Sequence, residues 1–384
     1  MTPSRRWIEV RLDGERQLRV RLPDDAWDPI AEELAAGTWR VPWVLRLVLD
    51  VLDAAEHDGA DRVLLDVGAH LGTVSLAAAG RGARVVAVEA STRNATCLAA
   101  SAAVNRLDVT LLHAAAADRP QVLQFHEDGP YGQVVADGGV TVEADTLPAL
   151  LSRARLDRAT LVKIDVEGHE PAVLAGAAPL FSRADAPDVI CEGNGYVLLQ
   201  GGHTTGELAG TLQGFGYRVF LVGDHELVPF APTDLPPANV VDLFATKHAA
   251  TPWPVRAPLT PAECASMLTR ELLHPVHTHR CWAAQALADA PRTLLAHREI
   301  SEALEACAHF DAVPEVRAAA AWWPGRRVEI ATDGRIGSAR TLATIAAQWS
   351  AVADDAAVLT RRAAAVRRGA DRTARRVSRR ARHA

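Results

Sequence analysis

Apolar residues fall in short blocks along the first two thirds of the chain, and the period of each block tells strand from helix. Ile8, Val10 and Leu12, then Leu18, Val20 and Leu22, alternate with polar residues around Asp13-Gly14, which predicts a β-hairpin with a tight turn. A helical stretch over 39–55 follows. Val63-Leu64-Leu65 is a continuous apolar run, as in a strand covered on both faces of a parallel sheet, and a helix over 73–79 comes after it. Further strands are predicted at 84–89, 109–113, 161–165, 188–192, 217–222 and 239–245. Helices are predicted at 92–104, with Ser91 as N-cap, at 205–213, and after Pro171, a residue suited to a helix's first turn. The stretch 114–118 reads as a turn, and 121–141 as a hairpin or loop carrying Gly129, Gly132, Gly138 and Gly139. Strand and helix in alternation over 62–248 predict an α/β sheet.

Composition changes after residue 248. Pro252, Pro254, Pro258 and Pro261 mark a linker over 249–261, and 262–360 is alanine-rich and helical in pattern, with Trp282, Trp322, Trp323 and Trp349 as core anchors. The last segment, 361–384, carries ten arginines against one aspartate, so a chain of net charge −6 has a body near −15 and a tail near +9. The arginines lie on all helical faces with no apolar stripe, so a solvated tail is expected rather than an interfacial helix. The expected organisation is therefore a hairpin and helical lead-in at 1–61, a sheet domain at 62–248, the linker, the helical region and the tail.

The 384 residues are 49% hydrophobic and 23% charged, which suits a soluble globular protein with core enough for about two domains. Five cysteines (Cys97, Cys191, Cys264, Cys281, Cys307) include no Cys-x-x-Cys, so neither a disulfide framework nor a zinc ribbon is indicated. With no apolar leader at the N-terminus and no uninterrupted apolar span, a cytoplasmic protein is expected.

The chemistry concentrates at strand ends. The turn after Leu65 reads Asp66-Val-Gly68-Ala69-His70-Leu-Gly72. A dinucleotide fold requires Gly-x-Gly-x-x-Gly there; with the second glycine set on Gly68, the first falls on Asp66 and the third on Leu71, so the fingerprint fails. Asp-x-Gly-x-x-x-Gly resembles instead motif I of S-adenosylmethionine-dependent methyltransferases. Asp66, Gly68, Ala69, His70 and Gly72 are then expected at the cofactor. Glu89, ending the second strand about 20 residues on, is expected at the ribose diol, with Ala90 beside it and Asp118 after the third strand.

Lys163-Ile-Asp165-Val-Glu167-Gly-His169-Glu170 closes the pattern. With Asp-Val-Gly-Ala-His-Leu-Gly (66–72), Val-Val-Ala-Val-Glu (85–89), Leu98, Asn105, Ala-Asp-Thr-Leu (144–147), Gly37-Thr-Trp39 and the strand at 239–245, it makes residues 25–248 resemble the FkbM-family methyltransferases. The resemblance implies a class I methyltransferase fold, Rossmann-like, with a seven-stranded, mostly parallel sheet and a mainly helical C-terminal extension outside the family. It implies O-methylation of a small-molecule hydroxyl on a sugar, glycan or polyketide-type natural product. The chain departs from the family at Ala90, where a proline is usual, and after Gly132, where a serine is common.

Methyl transfer to oxygen requires a proton acceptor, and two schemes follow from the residues at the strand ends. In one, His169 or Asp165 is the general base, with Glu167 beside them. In the other, Asp165, Glu192 and Asn194 hold Mg²⁺, whose preference for oxygen ligands they match, a layout similar to the catechol-type O-methyltransferases. Two rival readings are weaker. An N-methyltransferase on nucleic acid would carry Asp/Asn-Pro-Pro-Tyr/Phe, which is missing, Leu235-Pro-Pro-Ala238 being no substitute, so nucleic acid is not an expected partner; a non-catalytic scaffold would have lost Asp66, Gly68 or Glu89. His274, His277, His279 and Cys281 cluster without a matching ligand pair elsewhere, so a solvated loop is expected there rather than zinc. The oligomeric state is not encoded in any pattern.

Overall fold

The computed structural model describes residues 6–24, 28–57, 59–230, 235–288, 290 and 292–321. The expected anchors Trp322, Trp323 and Trp349 and the arginine-rich tail lie outside them. The chain divides into two compact units, one formed by residues up to 234 with 241–258, the other by 235–240 with 259 onward.

The first unit is built on an eight-stranded sheet. Five parallel strands lie side by side in the order Val109–His113, Arg84–Glu89, Val63–Val67, Leu161–Ile164 and Asp188–Asn194. Val240–Thr246 follows, then Arg218–Val222 antiparallel to it, then Leu227–Pro229 antiparallel again. The last is an edge hairpin strand beyond the seven expected. The motif strand Val63–Val67 is buried at all five positions, which is why it reads as an unbroken apolar run. From it the chain steps outward to 84–89 and 109–113 on one side, then returns to 161–164 on the other. That reversal leaves a crevice at the carboxyl ends of the central strands, where ligands of open α/β sheets bind.

The expected helices are present as Thr73–Gly80, Thr92–Asn105, Glu170–Phe181 and Thr205–Gly214. Ser91 caps the second, accepting from the Asn94 N–H. The N-terminal hairpin pairs Trp7–Arg11 with Gln17–Arg21 in antiparallel register, and its turn is held by Asp13 Oδ1, which accepts from the Glu15 and Arg16 N–H groups. This hairpin and the helices Pro29–Ala36 and Trp43–His57 belong to the same compact unit as the sheet, not to a separate lead-in. Leu45, Leu47, Val48 and Leu52 of the longer helix join Leu12, Leu18, Leu64 and Leu76 in one core; each fully buried leucine contributes about 1.5–3 kcal/mol.

Three segments differ from expectation. The 114–118 turn and the 121–141 loop form a second, four-stranded sheet in which Ala115–Ala116, Val140–Asp145, Gln121–His126 and Gln133–Val135 are neighbours in that order. Its glycines disguised it: a Cβ on Gly139 would stand 2.6 Å from the Phe125 carbonyl oxygen, so strand contact there excludes any side chain. The stretch 195–200, within the loop expected between the strand at 188–192 and the helix at 205–213, is a helix with Asn194 as N-cap. The proline-rich 249–258 is no free linker, since Trp253 is buried in the first unit's core and donates from Nε1 to Asp50 Oδ2 at 2.7 Å.

In the second unit the described helices are Pro261–Leu272, His277–Ala288, Arg292–Leu295, Arg298–Phe310 and Pro314–Ala321. Trp282 is an anchor as expected, buried with Leu268, Leu272, Leu287, Ile300 and Leu304. The histidine cluster is not a solvated loop. His277 opens a helix, Arg280 is buried in a two-pronged pair with Asp311 at 2.6 and 2.9 Å, and His279 Nδ1 donates to Glu271 Oε2 at 2.7 Å with the His274 ring stacked on it. These side chains are spent on packing and pairing. Among the described residues, no helix is long and apolar enough to cross a membrane.

Candidate functional site

A cavity of about 420 Å³ opens at the carboxyl ends of the central strands. Asp66, Gly68, Ala69, His70, Glu89, Ala90, Asp165, Glu167, His169 and Glu192 line it, together with Ala114, Ala115 and Ala116 from the next turn. Phe125, Pro130, Tyr131 and Val134 wall it from the small second sheet, and Ile30, Trp39, Arg40 and Pro42 from the N-terminal segment. Gly72, Asp118 and Asn194 are outside the lining. Asp118 bonds Arg119 and Gln121 instead.

The turn at 68–72 owes its shape to two glycines with different tasks. Gly68 sits at φ +79, and a Cβ there would stand 1.8 Å from the carbonyl oxygen of Asp165. The two motif turns therefore pack backbone on backbone. Gly72, at φ +84, would drive a Cβ to 2.2 Å from Leu98 Cδ1, so its lack of a side chain lets the following helices pack.

Glu89, nearly buried, clamps both sides of the crevice. Its Oε2 accepts from the His70 N–H at 2.7 Å and its Oε1 from the Ser91 N–H at 2.8 Å. A carboxylate has about four acceptor positions, so lone pairs remain for a ligand hydroxyl. Burial pushes its carboxyl above the ordinary range. Asp66 is buried deeper and turned inward: Oδ2 accepts from Ser75 Oγ at 2.6 Å, and Oδ1 lies 3.7 Å from Lys163 Nζ. Burial raises this carboxyl too.

Lys163 faces Asp66 across the strand register and donates from Nζ to Asp165 Oδ2 at 2.9 Å. Burial alone would lower the ammonium's pKa, but Asp165 and Asp66 hold it well above its ordinary value. Asp28, absent from any motif, stands behind the lining residue His70: it is fully buried, caps the helix Pro29–Ala36 through the Ala31 N–H, and its Oδ2 accepts from His70 Nε2 at 2.8 Å. Burial pulls this carboxyl up, yet the His70 contact and the Ala31 N–H outweigh it and hold it below the ordinary range. The signal for Asp28 was the Asp-Pro helix start; the signal for Lys163 was a lone charge in an apolar strand.

Beyond Lys163 the chain turns through Glu167 at φ +49 and Gly168 at φ +94. Positive φ is costly for glutamate, and Glu170 holds the turn by accepting from the Val166 and Gly168 N–H groups. Asp165, Glu167 and Glu192 each offer a carboxylate oxygen, and all three oxygens lie within 4.8 Å of one another. Burial pushes the Glu167 carboxyl up to about 8, with Asp165 and Glu170 adding repulsion. Burial raises Glu192 well above its range, reinforced by Asp165 and Glu167, and lifts Glu170 to about 7. Asn194 Nδ2 donates to Glu167 Oε2 at 3.2 Å, while Asn194 Oδ1 accepts from the Val197 N–H. His169 precedes the helix Glu170–Phe181; its Nε2 is buried without a hydrogen-bond partner, and burial lowers its pKa.

Residues 66–219 match the family model described as the methyltransferase FkbM domain, the family the motifs resemble. Comparison with curated proteins yields no match. Among solved structures, the chain is similar to precorrin-6y methyltransferase from Geobacter metallireducens, at 16% identity over 53% of this chain and 88% of that chain, TM-score 0.33. It is similar to a Pyrococcus abyssi tRNA uracil methyltransferase in complex with S-adenosyl-L-homocysteine, at 14% identity over 62% and 43%, TM-score 0.32. The bifunctional kinase-methyltransferase WbdD is similar at 17% identity over 61% and 45%, TM-score 0.36.

Proposed function

We propose that this chain, whose residues 66–219 match the FkbM methyltransferase domain, is a S-adenosylmethionine-dependent O-methyltransferase acting on a hydroxyl of a sugar, glycan or polyketide-type small molecule. The observation that carries the reading is one cavity shared by the motif turn, Glu89 and the group Asp165, Glu167, His169 and Glu192. Donor site and proton-accepting side chains thus meet at one end of the sheet.

The residues fit the donor. A cavity of about 420 Å³ is in the range of small-molecule sites, about 300–1,000 Å³. Gly68 and Ala69 line it, and Glu89 retains acceptor capacity for a ribose diol. Ala90 and Ala114–Ala116 offer small apolar walls for a flat base. When bound, S-adenosylmethionine supplies a methyl group activated on a positively charged sulfur. Asp66 acts indirectly, fixing Ser75 and Lys163 beneath the turn.

His169 is the general base best supported by the geometry. Asp165 Oδ2 is taken by Lys163 and Glu167 Oε2 by Asn194, whereas His169 Nε2 is unshared and burial favours the neutral ring that can accept a proton. The test combines titration of S-adenosylhomocysteine into the full chain with a methyl-labelled donor offered to hydroxylated sugars, polyketide alcohols, RNA and protein. Saturable cofactor binding and label on an alcohol oxygen are expected, with His169→Ala slowing turnover about 10²–10⁴-fold while cofactor affinity persists. No cofactor binding, or label confined to a nucleic-acid amine, would overturn the reading.

A further inference from the structure

We propose that Asp165, Glu167 and Glu192 form a binding site for one hard divalent cation, Mg²⁺ or Mn²⁺, in the acceptor half of the cavity. The inference rests on the methyltransferase reading for its purpose, but its evidence is separate.

Three carboxyl groups whose oxygens lie within 4.8 Å of one another repel strongly once all are ionised. Lys163 is the cation that the nearby contacts provide, and it is shared between Asp165 and Asp66, so it does not balance all three carboxyls when they are ionised. The decisive observation is Glu192: its carboxyl supplies one of the converging oxygens, and its Oε2 is sealed from solvent with no hydrogen-bond partner. A buried polar atom left unpaired costs about 1–3 kcal/mol, more when charged, and a carboxyl group set against two others has a cation as its natural partner.

The donor set selects the ion. Carboxylate oxygens without a thiolate or imidazole suit Mg²⁺ and Mn²⁺ over zinc or copper. Asn194 enters the site differently from the sequence-based ligand set of Asp165, Glu192 and Asn194. Its amide N–H₂ is turned to Glu167 and its oxygen to the Val197 N–H, so it orients Glu167, which takes its place as the third ligand. Three protein ligands leave coordination positions for oxygens of the acceptor, so the site favours an acceptor presenting two adjacent oxygens, such as a vicinal diol. When bound, the cation would lower the pKa of a hydroxyl held there.

The test follows Mn²⁺ by electron paramagnetic resonance as it is titrated into the full-length chain saturated with S-adenosylhomocysteine. One tightly held Mn²⁺ per chain, displaced by Mg²⁺, is expected. Glu192→Gln and Asp165→Asn should each weaken it at least tenfold. Thermal melting of both variants reports whether they fold; if one does not, the other decides. No retained Mn²⁺, or both folded variants binding as the wild type does, overturns the site and points to an acceptor that is itself cationic. S-Adenosylhomocysteine titrated in the presence of EDTA separates the two proposals: binding that persists there while Mn²⁺ is not held removes only the cation site, and loss of cofactor binding removes the methyltransferase reading itself.

Discussion

Gly68→Ala tests the claim that the two motif turns are built against each other. The new methyl would have to occupy a point 1.8 Å from the Asp165 carbonyl oxygen and 2.8 Å from its carbon, both backbone atoms that cannot rotate away. The substitution also forces alanine into φ +79, which costs about 1–2 kcal/mol. Relieving the overlap by shifting backbone adds about 1–3 kcal/mol, for a total of about 2–5 kcal/mol. In a unit of this size each kcal/mol moves the melting temperature by about 2–4 °C, so a fall of roughly 4–20 °C is expected. Gly37→Ala is the control, since Gly37 has φ +70 with nothing within 4 Å of its added Cβ, and it bears only the conformational cost. Scanning calorimetry of both variants, with S-adenosylhomocysteine titration, reads the difference. Gly68→Ala should also bind the cofactor at least tenfold more weakly, because the turn must move off the strand end. Equal melting temperatures for the two variants, with wild-type cofactor affinity in Gly68→Ala, would refute the reasoning.

Glu89→Gln leaves one acceptor oxygen where two backbone N–H groups now find one each, so about 1–3 kcal/mol is lost and cofactor affinity should fall roughly 5- to 150-fold by calorimetry. The depressed Asp28 carboxyl contributes stability that is present above its unfolded value near pH 3.9 and is lost as pH falls through its lower folded value; Asp28→Asn should therefore flatten the acid limb of the wild-type stability curve, and an identical acid limb would remove Asp28 from the account. Trp253→Ala should cost about 3–5 kcal/mol in chemical denaturation, because the side chain is core and not linker; a loss under 1 kcal/mol would restore the linker reading.

The acidic and glycine residues of the site were legible because their spacing follows from local backbone geometry. A strand that carries Asp66 near its end, turns through Gly68 and opens a helix at Thr73 shows that order along the chain. What each residue does was less legible. Asp66 and Gly72 were read from the motif alone; the structure adds that Asp66, in the cavity lining, bonds Ser75 and faces Lys163, and that Gly72 yields space to Leu98. The small sheet over 115–145 was hidden because its glycines read as loop, although Gly132 and Gly139 are demanded by close contact with Phe125.

The sequence by itself determined the alternation of strands and helices, the failure of the dinucleotide spacing, the FkbM motifs and hence the class of chemistry, since all of these are patterns of neighbours along the chain. Only the tertiary structure decided which side chains meet. Asp28 and His70 are 42 residues apart, and Glu167 and Asn194 are 27 apart. Glu192 reaches Asp165 and Glu167 because parallel pairing sets the strand ends side by side. Contacts of that kind depend on sheet order and register, which no local period records.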